Sequence, residues 1–323
     1  MHVMILGGAG MLGQKLAQAL AADATPPARL TLADIVVPKV QAAPGMMVEA
    51  LALNMADPAA ASSLMAARPD VIFHLAAVVS GQAEQEFELG YAVNLDATRA
   101  LFEAIRALPG YRPRVVFTSS IAVFGAPFPS RIPDDLRPSP RTSYGTQKAM
   151  AELLLNDYSR RGIFDGVALR LPTLCIRPGL PNKAASGFFS NILREPLVGL
   201  SAVLPVPDSV RHWFASPRAA VGFLRHAATM DLAPLEAWRV VNLPGLSATV
   251  AEEIEALRSA AGSAAVALIR REPDPFIEKI VHGWPSEFDA VQAHALGFKA
   301  ETSFDQIIQA HLEDELGLPS HSA

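Results

Sequence analysis

Val3-Met4-Ile5-Leu6-Gly7-Gly8-Ala9-Gly10-Met11-Leu12-Gly13 is the stretch on which the reading of this chain turns. An apolar run, a glycine-rich turn and an Ala/Leu/Gln-rich run from Gln14 to Ala22 read as strand, turn and helix. Glycines at positions 7, 10 and 13 permit a tight turn, close approach of backbone N–H groups to a pyrophosphate, and close packing of helix on strand. Their place between a strand and a helix gives the trio its meaning. The next strand, Leu30-Thr31-Leu32-Ala33, ends at Asp34, 21 residues past Gly13. A carboxylate there accepts hydrogen bonds from the adenosine ribose and repels a 2′-phosphate, which favours NAD over NADP. The plainer alternative is an ordinary glycine turn with a capping aspartate.

Outward from this stretch, strands and helices alternate, the pattern of a parallel sheet. Met47 to Leu51 reads as a short strand leading to Asn54 and Met55, and Val71 to Leu75 as a buried strand running into Ala76-Ala77. Small residues there let the chain pass close to a flat cofactor. A single long helix is expected from Glu84 to Leu108, carrying Asn94. Arg114 to Phe117 is a further buried strand ending in Thr118-Ser119-Ser120, and Val167 to Leu171 another. The expected fold is α/β: a Rossmann-type doubly wound parallel sheet over residues 1–175, completed by a strand near 239–243. Residues 176–323 are expected to form mainly a smaller C-terminal substrate-binding lobe. In it the patterning predicts a helix over Thr249–Ala261, a strand at Val266–Ile269, and helical runs at Trp284–Phe298 and Phe304–Leu316.

Composition narrows the function. With 323 residues, half of them hydrophobic, the chain can bury a large core. A net charge of -5 offers no basic footprint for nucleic acid and no polybasic membrane signal. One cysteine, Cys175, excludes an internal disulfide and reads as a small core residue. Eight scattered histidines show no zinc spacing, so no metal is expected. The N-terminal apolar run breaks at Gly7 and lacks a basic flank and cleavage site, so a cytoplasmic globular protein is expected.

The chemistry centres on Ser143-Tyr144-Gly145-Thr146-Gln147-Lys148. On a helix, Tyr144 and Lys148 are four residues apart and share a face. A free phenol ionises near pH ~10. A neighbouring ammonium stabilises the phenolate and is expected to lower that pKa, so the pair can take a proton from an alcohol beside a hydride acceptor. In an open parallel sheet ligands bind beyond the carboxyl ends of the strands, where Ser120 falls.

Together Gly7-x-x-Gly10-x-x-Gly13, Asp34, His74-Leu75-Ala76-Ala77, Asn94, Thr118-Ser119-Ser120, Val123-Phe124-Gly125 and Tyr144-x-x-x-Lys148 resemble, in order and spacing, an extended short-chain dehydrogenase/reductase of the NAD-dependent epimerase/dehydratase family. The resemblance implies that Tyr144 is the catalytic acid/base, that Lys148 holds the nicotinamide ribose and lowers the tyrosine pKa, and that Ser120 binds the reacting oxygen. It places the turn from Gly7 through Gly10, Met11 and Leu12 to Gly13 at the pyrophosphate, and Asp34 at the adenosine ribose. Asn54 (where many relatives carry Asp) and Met55 would flank adenine. Leu75, Ala76, Ala77, Asn94, Ser119 and Pro172 would line the cofactor channel. Relatives pair the helices holding Asn94 and Tyr144 across a dimer, so a homodimer is implied.

The segments Ser186–Pro196 and Ser209–Arg218, with Ser119 to Gly125, are similar to a sugar-acid branch of that superfamily. Its members oxidise a four-carbon 2-hydroxy acid, D-erythronate, to the 2-oxo acid with NAD. Such a substrate needs a cation for its carboxylate, best a guanidinium. The candidates are Arg177, Lys183, Arg211 and Arg218, with Arg211 foremost because an arginine at its position contacts substrate phosphate in related nucleotide-sugar enzymes. Asn182 and Ser186 could bind the sugar-acid hydroxyls, and His212 reads as a packed structural histidine. The alternatives are a nucleotide-sugar epimerase on the same fold, or a non-catalytic NAD(P)-binding regulator. A dehydratase is disfavoured because Ser119-Ser120-Ile121 stands where Asp-Glu is usual.

Overall fold

The computed structural model describes residues 1–179 and 185–318. In chain order they form β1 (His2–Leu6), α1 (Met11–Ala21), β2 (Arg29–Asp34), β3 (Met47–Ala52), α2 (Ala60–Met65), β4 (Val71–His74), α3 (Ser80–Gln85) and α4 (Phe87–Tyr91). A π-helical turn (Ala92–Asp96) leads into α5 (Ala97–Arg106), then β5 (Arg114–Ser120), α6 (Ser143–Arg160), β6 (Asp165–Leu171) and β7 (Thr173–Leu174). Next are α7 (Gly187–Leu197), β8 (Ala202–Leu204), β9 (Arg211–Ala215), α8 (Pro217–Thr229) and β10 (Val240–Asn242). After these come β11 (Leu246–Thr249), α9 (Val250–Val266), β12 (Ile269–Arg271), α10 (Pro275–His282), α11 (Val291–Ala295) and α12 (Phe304–Leu316).

The chain divides into two compact units. One is built from Met1–Val123, Pro140–Leu171 and Val221–Asn242; the other from Phe124–Ser139, Pro172–Ala220 and the chain from Leu243 onward. The first unit holds a seven-stranded sheet in the order β10-β6-β5-β4-β1-β2-β3, with every neighbouring pair parallel. Val3 to Leu6 are sealed in the middle of it, as a continuous apolar run in a sheet covered on both faces must be. The chain winds outward from β1 to β3 and then returns to β4 on the other side of β1. That reversal opens a crevice at the carboxyl ends of β1 and β4, the usual ligand position in this architecture. Phe102, between Tyr158 at 5.5 Å and Phe164 at 4.8 Å, anchors the core under α5 and α6.

The second unit contains a three-stranded sheet, β11-β9-β7, and a two-stranded one, β12-β8. Its core gathers Phe189, Phe214, Leu257, Ile307 and Ile308, with the Phe189 and Phe214 rings edge to face at 5.0 Å.

Three expected elements differ. The single helix expected over Glu84–Leu108 is broken at Glu86, which leaves helical geometry at φ -118° and ψ 74°, and again at the π-helical turn. The wider turn lets Asn94 reach partners outside its own helix. The strand expected at Val266–Ile269 begins only at Ile269, because α9 resumes after Gly262 (φ +78°) and runs to Val266 through helix-favouring alanines. The helix expected over Trp284–Phe298 reduces to Val291–Ala295: Pro285 supplies no N–H, and Ala290 sits at φ +47° just before α11. No described helix is long and apolar enough to cross a membrane.

Candidate active site

The first unit brings Ser120, Tyr144 and Lys148 together where β5 ends and α6 begins. Thr142 caps α6, its hydroxyl accepting from the Gly145 N–H at 3.1 Å. A side chain at position 145 would overlap the Ala122 carbonyl oxygen, so glycine there lets the first turn of α6 press against the end of β5. Tyr144 is thereby set beside Ser120, whose hydroxyl hydrogen-bonds the phenol and also accepts from the Ala122 N–H at 3.1 Å. One turn further on, Lys148 is sealed from water at 1 % exposure. Its ammonium donates to the Thr118 carbonyl at 2.8 Å, lies 4.6 Å above the Phe117 ring, and stands 5.7 Å from the centre of the Tyr144 ring.

In the chain alone, burial is the dominant influence on the Tyr144 phenol. Burial pushes the phenol up to about 12, and the Ser120 hydrogen bond pulls the other way. Burial brings Lys148 down to about 7, opposed by the charge of Glu152.

The glycine turn fits a dinucleotide. Gly10 precedes α1 without a side-chain cap, and the first turn carries no acidic residue, so its free N–H groups, including those of Met11, Leu12 and Gly13, suit a phosphate. Gly7 lies at φ +87°, and a Cβ on it would come within 2.7 Å of the Ala76 nitrogen, which leaves the turn flat against the chain after β4. Asp34 braces the same turn: its carboxylate accepts from the Ala9 N–H at 2.9 Å and the Ile35 N–H at 2.7 Å. Leu75, Ala76 and Ala77 are half-buried beside the turn, with the Leu75 N–H donating to the Leu6 carbonyl at 2.9 Å. Asn54 is exposed, its side chain accepting from the Ala56 N–H at 3.0 Å, while the Met55 side chain belongs to the core.

Asn94 is buried and accepts from the Val78 N–H at 2.8 Å, and donates to the Val78 carbonyl at 3.1 Å and to Gln147 Oε1 at 2.7 Å. It pins the loop that follows β4. Ser119 points away from Ser120 and donates to Glu152 Oε1 at 2.6 Å. Glu152 in turn receives two bonds from Arg170, at 2.9 and 2.8 Å, and Arg170 donates to Asn242 at 3.1 Å. The sequence reading missed Gln147, Glu152, Arg170 and Asn242. One signal was present: an arginine inside the apolar run Val167 to Leu171 has to find a buried partner.

In the second unit Pro172 is buried and Arg177 is half-buried, donating to the Ser186 hydroxyl at 3.2 Å. No carboxylate among the described residues pairs with Arg177. Arg211 stands apart on the surface, bonded to the Ser247 carbonyl at 3.1 Å and 3.4 Å from Glu252. Arg218 is committed to Glu313 and Asp314 at 2.7 and 2.6 Å. Asn182 and Lys183 lie outside the described residues. His212 is packed, stacked on Phe189 at 5.2 Å and hydrogen-bonded to Thr173 at 2.6 Å. Cys175 is a buried free thiol whose pKa burial pushes up.

Fold and site together define a Rossmann-type α/β protein with a glycine turn suited to a dinucleotide and a Tyr144/Lys148 pair one turn apart on α6. The model of the NAD dependent epimerase/dehydratase family matches residues 3–214, and the chain belongs to that family, whose cofactor is NAD(H). It is 49 % identical to a D-erythronate dehydrogenase of Cupriavidus necator over 97 % of this chain and 98 % of that one. It is 44 % identical to a D-erythronate dehydrogenase of Haemophilus influenzae, over 98 % of this chain and 100 % of the relative. Among solved structures, one described as a nucleoside-diphosphate-sugar epimerase from Agrobacterium tumefaciens superposes with a TM-score of 0.96 at 60 % identity, covering 98 % of this chain and 95 % of that one. An L-threonine dehydrogenase from Cupriavidus necator, at 23 % identity and a TM-score of 0.85 over 97 % of this chain and 99 % of that one, shares the fold.

Proposed function

We propose that this chain is an NAD-dependent dehydrogenase that oxidises a small 2-hydroxy sugar acid, D-erythronate, to its 2-oxo acid. The observation that carries the reading is the meeting of Ser120, Tyr144 and Lys148 at the end of β5, in a chain whose full-length curated relatives are D-erythronate dehydrogenases. The substrate's carbon 2 gives up its hydrogen with the bonding electron pair, and its hydroxyl gives up a proton. Bound NAD supplies the hydride acceptor. Tyr144, as phenolate, takes the proton at its oxygen, and Ser120 steadies the substrate oxygen as the C–O bond becomes a carbonyl. Lys148, in its ammonium form, contributes positive charge beneath the phenol. A positioned acid/base of this kind is worth about 10²–10⁴ in rate.

The carboxylate of the acid calls for a guanidinium. Arg177 is the better supported candidate, because it is partly buried, touches the Ser186 hydroxyl and is spared a carboxylate partner among the described residues. Arg211 ranks behind it, since Glu252 and Ser247 already hold it. Asp34 supports NAD over NADP. Phe87 on α4 and Leu153 on α6, apolar and more than half exposed, support a homodimer through these helices. A lone free cysteine is in keeping with a cytoplasmic site.

A second reading, nucleotide-sugar epimerisation, is favoured by the description of the 60 % identical solved structure. One experiment separates the two. Initial rates of NADH formation are measured on a panel of 2-hydroxy sugar acids, with UDP-galactose and L-threonine as controls, for the native chain and Tyr144→Phe. Turnover of D-erythronate that vanishes in the variant supports the dehydrogenase. UDP-sugar interconversion without NADH from any acid overturns it.

A further inference from the structure

Tyr144, Lys148 and Glu152 succeed one another at four-residue intervals on α6, so all three face β5 and β6. Glu152 is fully buried, and each of its oxygens is engaged: Oε1 by Ser119 at 2.6 Å and by Arg170 Nε at 2.9 Å, Oε2 by Arg170 Nη2 at 2.8 Å. We propose that Glu152, clamped by Arg170 and Ser119, is a positioning residue that keeps Lys148 in its ammonium form beneath Tyr144. The proposal rests on the reading of Lys148 as part of the acid–base machinery.

The surroundings of Lys148 make the case. From α6 it faces Tyr144 and Glu152; from β4, His74, which burial and Lys148 itself keep neutral with a pKa of about 3. β5 offers it the Thr118 carbonyl and the Phe117 ring face, while β6 contributes the Arg170 guanidinium behind Glu152. Among these groups Glu152 alone is negative. An ammonium at 1 % exposure has almost no water to stabilise it, so a nearby carboxylate decides whether it stays charged at neutral pH. The bidentate clamp has a second effect. It neutralises Arg170, which would otherwise place an unpaired positive charge within the same core. Stability alone does not call for such a pair, because well-packed apolar residues often replace a buried ion pair without loss.

The test follows Lys148 directly. Protein labelled with ¹³C at the lysine ε-carbon is titrated by NMR without substrate, and the Lys148 signal is assigned by its absence from Lys148→Arg. Glu152→Gln is expected to lower the Lys148 midpoint by about one pH unit or more. Glu152→Asp, which keeps the charge, is expected to restore most of it. The neutral pair Glu152→Gln/Arg170→Met removes the stranded guanidinium; its Lys148 midpoint should remain below that of the native chain, and it carries the test if Glu152→Gln does not fold. In the rate profile the high-pH limb of kcat should move to lower pH in Glu152→Gln, with KM for the acid little changed. A native midpoint in the folded neutral pair, or a native pH profile with only reduced thermal stability, would overturn the proposal and leave Glu152 structural. Because the titration needs no turnover, it decides this point even if no acid proves to be a substrate.

Discussion

Asn94 and Gln147, 53 residues apart in sequence, meet in the interior of the first unit through a hydrogen bond of 2.7 Å from Nδ2 to Oε1. The bond ties the π-helical turn to α6, and through Val78 it ties both to the loop after β4 that borders the glycine turn. Asn94→Ala leaves the Val78 N–H and carbonyl and the Gln147 oxygen without this partner. Unmet buried groups cost about 1–3 kcal/mol each, and some relaxation is expected, so a net loss of about 2–4 kcal/mol should appear in urea unfolding. NAD binding should weaken along with it. A loss below about 0.5 kcal/mol, the range of ordinary surface substitutions, would mean the loop is held by other contacts.

Asp34 does two things that one substitution can separate. Its carboxylate accepts the Ala9 and Ile35 N–H groups, and it presents negative charge at the end of β2. Asp34→Ser keeps an acceptor for the turn while removing the charge. The preference for NAD over NADP, measured as the ratio of kcat/KM values, should fall about tenfold or more, since one charge interaction near a protein surface is worth more than 1.4 kcal/mol. An unchanged ratio would show that the preference, if any, is set elsewhere.

These two residues show what was readable from sequence. Gly7, Gly10, Gly13 and Asp34 announce themselves because backbone geometry and charge at a strand end admit few residue types, and β1 to β6 follow from runs of buried apolar residues. The Glu84–Leu108 region did not yield its breaks. A π-helical turn has no residue signature of its own and here accompanies hydrogen bonds from Asn94 to residues 16 and 53 positions away. The Glu152–Arg170 clamp was hidden for a related reason: pairing across 18 residues depends on how α6 lies on β6, which periodicity does not encode. The resemblance put Arg211 ahead of Arg177, and the neighbours that reverse this order, Ser186 for one and Glu252 for the other, were not legible in the sequence.

Acid should unfold the protein earlier than its carboxylates alone would suggest. His74 and His212 are each buried at 1 % exposure, and burial lowers the pKa of both to about 3. A base whose pKa is depressed in the folded state loses stability as pH falls below its unfolded value, near ~6.5. The loss continues until the folded value is passed. At pH 5 each histidine therefore costs about 2 kcal/mol relative to pH 8. His212→Gln removes one of the two titrations. The stability difference between native chain and variant should shift by about that amount between pH 8 and pH 5, read from urea midpoints; a constant difference would show that His212 gains a proton without penalty.

Glu253 titrates in the opposite sense. It lies on α9 inside the second unit at 0 % exposure, neither carboxyl oxygen has a hydrogen-bond partner among the described residues, and burial holds its pKa well above the ordinary carboxylate range. An acid whose folded pKa is raised contributes no penalty below its unfolded pKa, near ~4.3. As pH rises past that value the unfolded chain ionises freely while the folded one resists, so stability falls until the folded pKa is reached. Glu253→Met fills the same space without a polar group and should be more stable at pH 8, by about 1–3 kcal/mol or more. That advantage should shrink as the pH is lowered toward 5, the reverse of the histidine effect. An equal advantage at pH 5 and pH 8 would mean that Glu253 is ionised and partnered after all.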